Sequence, residues 1–346
     1  MKKTVVYALT QTGAGLGKYL ADQTEGKLFL PDCLADNFGA EPFDSLSDAV
    51  SINFSLYPCQ IFIAAAGIVV RVIAPHLKSK DKDPAVVFLD QEGKHVISLL
   101  SGHLGGANDL AHKVALLTGG DAIITTATDT AGLPAIDMLA KKKDLTICNL
   151  NAVKSINMAI LNGDPVQVYD PEDRLGLRGQ EDAGFSVQRV TEENKWIKKI
   201  AGVWVTWKSK VPECGINQLI LCPRCLIAGV GCNRGTEARE ILEFISTTFK
   251  DNDLSVKSIK YISTIEDKRD EQGILDAASM LGVPIFFASP LEINTIKVPN
   301  PSSIVKKHMG VSSVCEATAL LKSTKKRLLV SKTKGLNVTL AVALED

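Results

Sequence analysis

Neither sign of charge is in excess: Lys+Arg and Asp+Glu both number 39 in 346 residues. A protein that grips nucleic acid normally shows a basic surplus where it meets the phosphates, so no nucleic-acid partner is expected. Long apolar runs are missing too. The longest covers 61–70 and is ended by Arg71, whereas a membrane span needs about 20 apolar residues. The apolar stretch after Lys2 and Lys3 is also too short for a signal peptide. These absences lead to the expectation of a cytoplasmic protein with no membrane contact. No fixed-period repeat and no low-complexity tract is present, and a 45% hydrophobic content argues against wholesale disorder.

Familiar nucleotide and acyl-transfer motifs are absent as well. TGAGLGK at 12–18 fails the phosphate-loop spacing: Thr12 stands where the first glycine is needed, and Tyr19 replaces the magnesium-binding Ser/Thr. It reads as a glycine-rich turn from strand to helix. GVGCNRG at 229–235 lies between a strand and a helix, but its spacing is G-x-G-x-x-x-G and no suitably placed acidic residue follows, so nicotinamide binding is not expected. LLSGHLGGAND lacks the G-x-S-x-G elbow, which leaves Ser101 a hydrogen-bonding role rather than a nucleophilic one. Among eight cysteines, Cys214, Cys222, Cys225 and Cys232 cluster, yet there is one C-x-x-C and no nearby histidine. Thiols or a redox-dependent disulfide are expected there rather than a metal.

What is present is a repeated alternation of short apolar run, glycine-containing loop and helix-period segment. VVYALT, IFIAAA, AIITTA, CLIAGV and IKYIST each precede such a segment. The pattern predicts an α/β fold: several layers with mostly parallel sheets, in two or three domains. The stretch 165–223 departs from it, being polar and holding all three tryptophans, and VWVTWK reads as an exposed or edge strand. Domain limits are placed at 1–130, 131–222 and 223–346.

The most informative stretch is 83–115, DPAVVFLDQEGKHVISLLSGHLGGANDLAHKVA. It reads as strand, polar turn, strand, glycine-rich loop and helix. Gly102, Gly105 and Gly106 lack Cβ atoms that would keep a ligand from the backbone. The helix N-terminus that follows favours anions. His103, inside this loop and after the C-terminal end of a strand, occupies the edge where α/β sheets bind ligands. Asn108 is expected on the outward helix face or as its cap.

Further along, Thr236 is expected to cap the helix after GVGCNRG, with Glu237 and Glu240 in its first turn. Arg234 is placed to hold a carboxylate. Ser313 and Glu316 form a capping box that accounts for Glu316.

Taken together, AAAGIVVRVIAP, SGHLGGAN in its context, ITTATD, GVGCNRGTEAREI, VPNPS, GVSSVCEATALL and LLVSKTKGLNVTLAVA resemble the cobalt-precorrin-5A hydrolases of anaerobic cobalamin biosynthesis. The likeness covers most of the chain; Cys222 and Cys225 depart from it. The resemblance implies an enzyme that opens a δ-lactone on ring A of the cobalt-bearing macrocycle and expels C-20 with its methyl group as acetaldehyde. It implies cobalt-precorrin-5A as the partner, with no cofactor because the cobalt arrives with the substrate. On that basis His103 is the expected acid or base, and N–H groups around Gly105 and Gly106 the oxyanion donors. Arg71 and Arg234 are expected to hold substrate carboxylates, with Ser101, Gly102, Asn108, Gly229, Gly231 and Gly235 as the other binding positions. The macrocycle's apolar face would suit a cleft between domains. A non-catalytic carrier of tetrapyrrole intermediates is the competing reading, and a homo-oligomer is left open.

Overall fold

The computed structural model describes residues 3–80, 82–178, 183–211, 215–299 and 314–345. They fall into two units, Met1–Met138 and Leu139–Asp346, and the architecture is α/β throughout.

The N-terminal unit is built on a seven-stranded sheet ordered β3-β2-β1-β4-β5-β6-β7. Its elements are β1 (Thr4–Ala8), α1 (Gln11–Thr24), β2 (Lys27–Pro31), α2 (Asp32–Phe38), β3 (Glu41–Phe43), α3 (Leu46–Asn53) and β4 (Cys59–Ile63). There follow α4 (Ala66–Ile73), β5 (Ala85–Leu89), β6 (His95–Leu100), α5 (Ala107–Thr118), β7 (Asp121–Ile123), α6 (Ala127–Thr130) and α7 (Ile136–Lys142). Side chains alternate across the central strands, as the two-residue period of a strand requires. Val6, Ile61 and Val87 pack with Ala14 and Leu20 of α1 and Leu110 and Val114 of α5. Val5, Tyr7, Phe62 and Val86 pack with Val50 of α3 and Val69 and Ile73 of α4.

TGAGLGK lies inside α1 and is not the turn expected from its glycines. Thr10 caps this helix, its Oγ accepting the N–H of Gly13 at 3.1 Å. A Cβ on Gly13 or Gly17 would press on Ile63 (3.1 Å) or Leu28 (2.9 Å). The glycines let the helix lie close on the sheet.

Five strands, β1 to β5, run parallel, and then the chain reverses. The Asp90 carboxylate gathers the N–H groups of Glu92 (2.9 Å), Lys94 (3.3 Å) and His95 (2.7 Å), while Gly93 takes φ +73°. This side-chain-closed turn makes β6 antiparallel to β5, and β7 then runs parallel to β6. The loop after β6 therefore sits at the rim where β1, β4 and β5 begin. The expected position of His103, at the carboxyl edge of those parallel strands, is corrected by this reversal.

The C-terminal unit holds two five-stranded sheets. The first, ordered β10-β9-β11-β12-β8, comprises β8 (Leu145–Ile147), β9 (Val166–Tyr169), β10 (Val187–Arg189), β11 (Gly202–Val205) and β12 (Gln218–Pro223), with α8 (Asn151–Asn162) between β8 and β9. Strand β11, from VWVTWK, is fully buried between β9 and β12 rather than at an edge. Trp204 stacks on Tyr169 at 4.0 Å and meets Trp196 edge-on. Polar surroundings in the sequence concealed a strand whose tryptophan supplies its own core. Cys222 is joined to Cys148 rather than to Cys225; Cys225 is buried, which pushes its thiol up to about 12. Cys214 lies outside the described residues.

The second sheet is ordered β15-β14-β13-β17-β16. It contains β13 (Leu226–Cys232), α9 (Ala238–Asp251), β14 (Ile259–Ile265), α10 (Gln272–Leu281), β15 (Ile285–Ala288), α11 (Pro290–Asn294), α12 (Val314–Lys322), β16 (Leu328–Lys334) and β17 (Val338–Leu344). Strands β13, β14 and β15 are parallel, and the β16–β17 hairpin adds antiparallel to β13.

Candidate functional site

The loop after β6 is closed by its own atoms. Ser101 adopts φ +58°, a left-handed conformation costly for a residue with a Cβ, and its Oγ donates to the Asp83 carbonyl at 3.0 Å. Each glycine has a steric reason. A Cβ on Gly105 would overlap Ser101, one on Gly102 would lie 2.7 Å from Asn108 Oδ1, and Gly106 takes φ +96° as the residue before α5. The first N–H groups of α5 are also committed, Ala107 to the Ser101 carbonyl (3.1 Å) and Asn108 to that of Gly102 (3.0 Å). The open anion cradle expected at this terminus is thus largely filled by the loop.

Asn108 corrects a second expectation. It neither caps α5 nor faces outward: it is buried, and Gly106 occupies the cap. Its Oδ1 accepts from Ser98 Oγ at 2.7 Å, and its Nδ2 donates to Thr126 Oγ (3.1 Å) and to Asp129 Oδ2 (3.2 Å).

His103 is the hub. Its Nε2 lies 2.9 Å from Asp129 Oδ2, its Nδ1 lies 3.3 Å from Asp137 Oδ2, and Thr128 Oγ stands 3.3 Å from Nε2. The hydrogen bond to Asp137 is the main cause of a pKa raised to about 9, with Asp129 adding to it and burial working against it. The resting ring is an imidazolium between two carboxylates. Side-chain exposure falls from 40% at Asp129 to 15% at His103 and 6% at Asp137, so the outer carboxylate meets solvent and the inner one does not. Chemically, this arrangement can give a proton from the ring and accept one at Asp129, while Asp137 holds the ring and its charge.

Beside the loop, Leu104 and Gly105 help to line a cavity of about 340 Å³ whose other walls include Tyr57, Lys80 and Lys82. Two ammonium groups at such an opening suit carboxylates. Arg71 is exposed, donates to the Gly67 carbonyl of its own helix at 2.9 Å, and is not among the described residues lining that cavity.

The positions expected in the C-terminal unit are engaged in packing. Gly229 and Gly231 lie within β13 rather than in a turn. A Cβ on Gly229 would overlap the Cys315 carbonyl of α12, and one on Gly231 would sit 2.7 Å from Thr339 Oγ. Gly235, at φ +76°, donates its N–H to Glu271 at 2.8 Å. Arg234 is exposed and already paired, with Asp270 at 2.6 Å and the Asp267 carbonyl at 2.8 Å. Thr236 is buried and donates to the Asn233 carbonyl at 2.8 Å, while Glu237 takes the cap expected of it. Ser313 lies outside the described residues. Glu316 is wholly buried and accepts the N–H of Lys332 at 2.9 Å.

Residue-type reasoning singled out His103 but not the Asp129, Asp137 and Thr128 side chains that meet it. ITTATD and PAID contain them, but carboxylates that far along the chain gave no spacing cue. Among the described residues no group of three or more His, Cys, Asp or Glu is placed to hold a metal ion, and no helix is long and apolar enough to cross a membrane.

Comparison with known proteins bears on the whole chain. Family models for the cobalamin synthesis G N-terminal region, the cobalamin biosynthesis central region and the cobalamin synthesis G C-terminus match residues 48–129, 134–223 and 226–343. The chain is 36% identical over 301 residues to the cobalt-precorrin-5A hydrolase of Priestia megaterium, covering 84% of this chain and 79% of that one. It is 34% identical over 348 residues to the cobalt-precorrin-5A hydrolase of Salmonella typhimurium, covering 98% and 97%. A crystal structure of a cobalamin biosynthesis protein G homologue from Sulfolobus solfataricus aligns over 99% of this chain and 97% of that one, at 21% identity and a TM-score of 0.38.

Proposed function

The chain belongs to the cobalamin synthesis G family, and from that premise we propose that it hydrolyses the ring A δ-lactone of cobalt-precorrin-5A, releasing C-20 as acetaldehyde. The observation that carries the mechanistic part is the Asp137–His103–Asp129 cluster. On this reading the pieces 1–130, 131–222 and 223–346 are the working divisions, with His103 and Asp129 in the first.

The reaction needs a proton moved in both directions. Water adds to the lactone carbonyl, the acyl C–O bond breaks, and the departing alkoxide on C-20 takes a proton. That same hydroxyl must then lose its proton as the carbon–carbon bond to ring A breaks and its electron pair passes to the macrocycle. Acetaldehyde leaves with the oxygen. Asp129, the exposed carboxylate, is the base toward water, and the His103 imidazolium is the acid toward the alkoxide. Once neutral, His103 is the base for the second step. A ring with a pKa of about 9 suits the acid role first. Asp137 is a positioning residue that holds the ring and its charge. Lys80 and Lys82, at the cavity beside Gly105, receive substrate carboxylates. The cobalt is part of the substrate.

Incubating the full chain with the cobalt lactone intermediate and assaying acetaldehyde tests the proposal. Release at a rate that collapses in His103→Ala supports it. Tight binding of the intermediate without acetaldehyde would establish the carrier reading instead.

A further inference from the structure

Where β13 and β14 end, the C-terminal unit has a second cavity of about 360 Å³ that the proposed chemistry does not use. Its walls come from the ends of these parallel strands, the start of α12 and the β16–β17 turn, with Thr264, Lys268, Lys332, Lys334, Leu336 and Val338 among its lining. The carboxyl edge of parallel strands is where open α/β sheets take their ligands. Here the β16–β17 hairpin, antiparallel to β13, adds its turn to the wall beside that edge.

Two observations point to an anionic occupant, and a third to an apolar part of it. Thr264 is wholly buried, lines this cavity, and its Oγ has no hydrogen-bond partner among the described residues. Buried hydroxyls are normally satisfied, so an unpartnered one beside an open cavity is a donor in want of an acceptor. Of the three lysines, Lys268 is neutralised by Glu271 at 3.2 Å, whereas Lys332 and Lys334 have no carboxylate partner among the described residues. Finally, Ile265, Val314, Leu336 and Val338 make part of the wall apolar, and Leu336 is 92% exposed at its rim. A metal cation is disfavoured by the surplus positive charge, and a small inorganic anion leaves the apolar wall unused.

We propose that this cavity is a carboxylate receptor for one edge of a large, partly apolar polycarboxylate, with Lys332 and Lys334 binding the acid groups and Thr264 donating beneath them. The identity of that ligand as a tetrapyrrole rests on the function proposed above; the cavity's preference for carboxylate beside apolar surface does not. At about 360 Å³ the space admits the acid-bearing rim of such a macrocycle but not the whole ring.

The test uses the full-length chain and uroporphyrin, a porphyrin carrying a carboxylate on every peripheral side chain, titrated by fluorescence quenching. Lys332→Gln with Lys334→Gln should weaken binding by about tenfold or more, as loss of charge-assisted hydrogen bonds predicts. Thr264→Val, close in shape, should weaken it by a smaller factor with an unchanged melting temperature. The uncharged octamethyl ester should bind poorly to the unmodified chain. The Lys198→Gln, Lys199→Gln pair controls for general electrostatics and should bind as the unmodified chain does. A dissociation constant within twofold in the Lys332/Lys334 variant overturns the proposal. So does equal loss in the control pair, or no uroporphyrin binding by the unmodified chain. Acetaldehyde release with lysine-independent binding removes this cavity and leaves the hydrolase. Lysine-dependent binding without acetaldehyde release does the reverse.

Discussion

Two segments of this chain carry the same outward signature, glycines after a strand and before a helix, and use it for opposite ends. In SGHLGGAN the glycines close a loop on itself, and that closure holds an imidazole between two carboxylates. In GVGCNRG two of the glycines are strand residues whose missing Cβ atoms admit a helix carbonyl and a threonine, and the arginine is spent on a surface aspartate. A missing side chain therefore says only that something comes close. Whether that something is a ligand or the protein's own backbone depends on what the fold brings there.

The contrast can be broken most directly at His103. His103→Ala should lower acetaldehyde release by about 10²- to 10⁴-fold, the usual reach of a positioned acid–base group, in a chain that still folds. Steady-state turnover with a circular dichroism control checks it, and near-normal turnover would leave the loop without chemistry.

The opposite prediction holds for Gly229. Gly229→Ala should act on stability, by about 1–3 kcal/mol, because the new methyl group meets the Cys315 carbonyl of α12. Chemical denaturation reads it; an unchanged midpoint would mean that the helix is free to retreat.

Asp137→Asn removes the main cause of the raised His103 pKa. It should cost about tenfold to hundredfold in turnover, less than loss of the ring itself, and move the imidazole titration down from about 9. Ring-proton NMR against pH decides this.

The same shift affects folding. Because the folded pKa lies above the unfolded value of about 6.5, the cluster's stabilisation is full below that pH and fades as pH rises through about 9. The melting-temperature gap between the unmodified chain and His103→Gln should close over this window. A constant gap would contradict the charged ring. Smallest of all is Arg234→Ala, an exposed paired residue, which should leave the melting temperature unchanged and turnover within about twofold of the parent rate.

How much of this was legible in the sequence follows from the range of the interactions. The α/β class was readable because strand and helix periods are local, and β1, β4, β13 and β14 stand where their apolar runs stand. His103 was readable as the one titratable ring in a glycine loop. Its partners were not, since Asp129 and Asp137 reach it only after β7 and α6 have been laid beside β6. Strand β11 was misread because its strand neighbours, not its sequence neighbours, bury it. Asn108 was misplaced because helix period alone assigns faces to an isolated helix, and here Ser98 and Thr126 come up against its outward side.

The carboxylate-closed turn at Asp90 has a kinetic corollary. Parallel partners such as β1 and β4 must wait for an intervening helix to be folded and docked, but β5 and β6 meet through a few residues already pinned by one side chain. Hairpins zip on a scale of about 1–10 μs, ahead of long crossovers. The backbone that delivers the imidazole is thus set early on the folding route, and the sheet grows around a piece whose direction has already been decided.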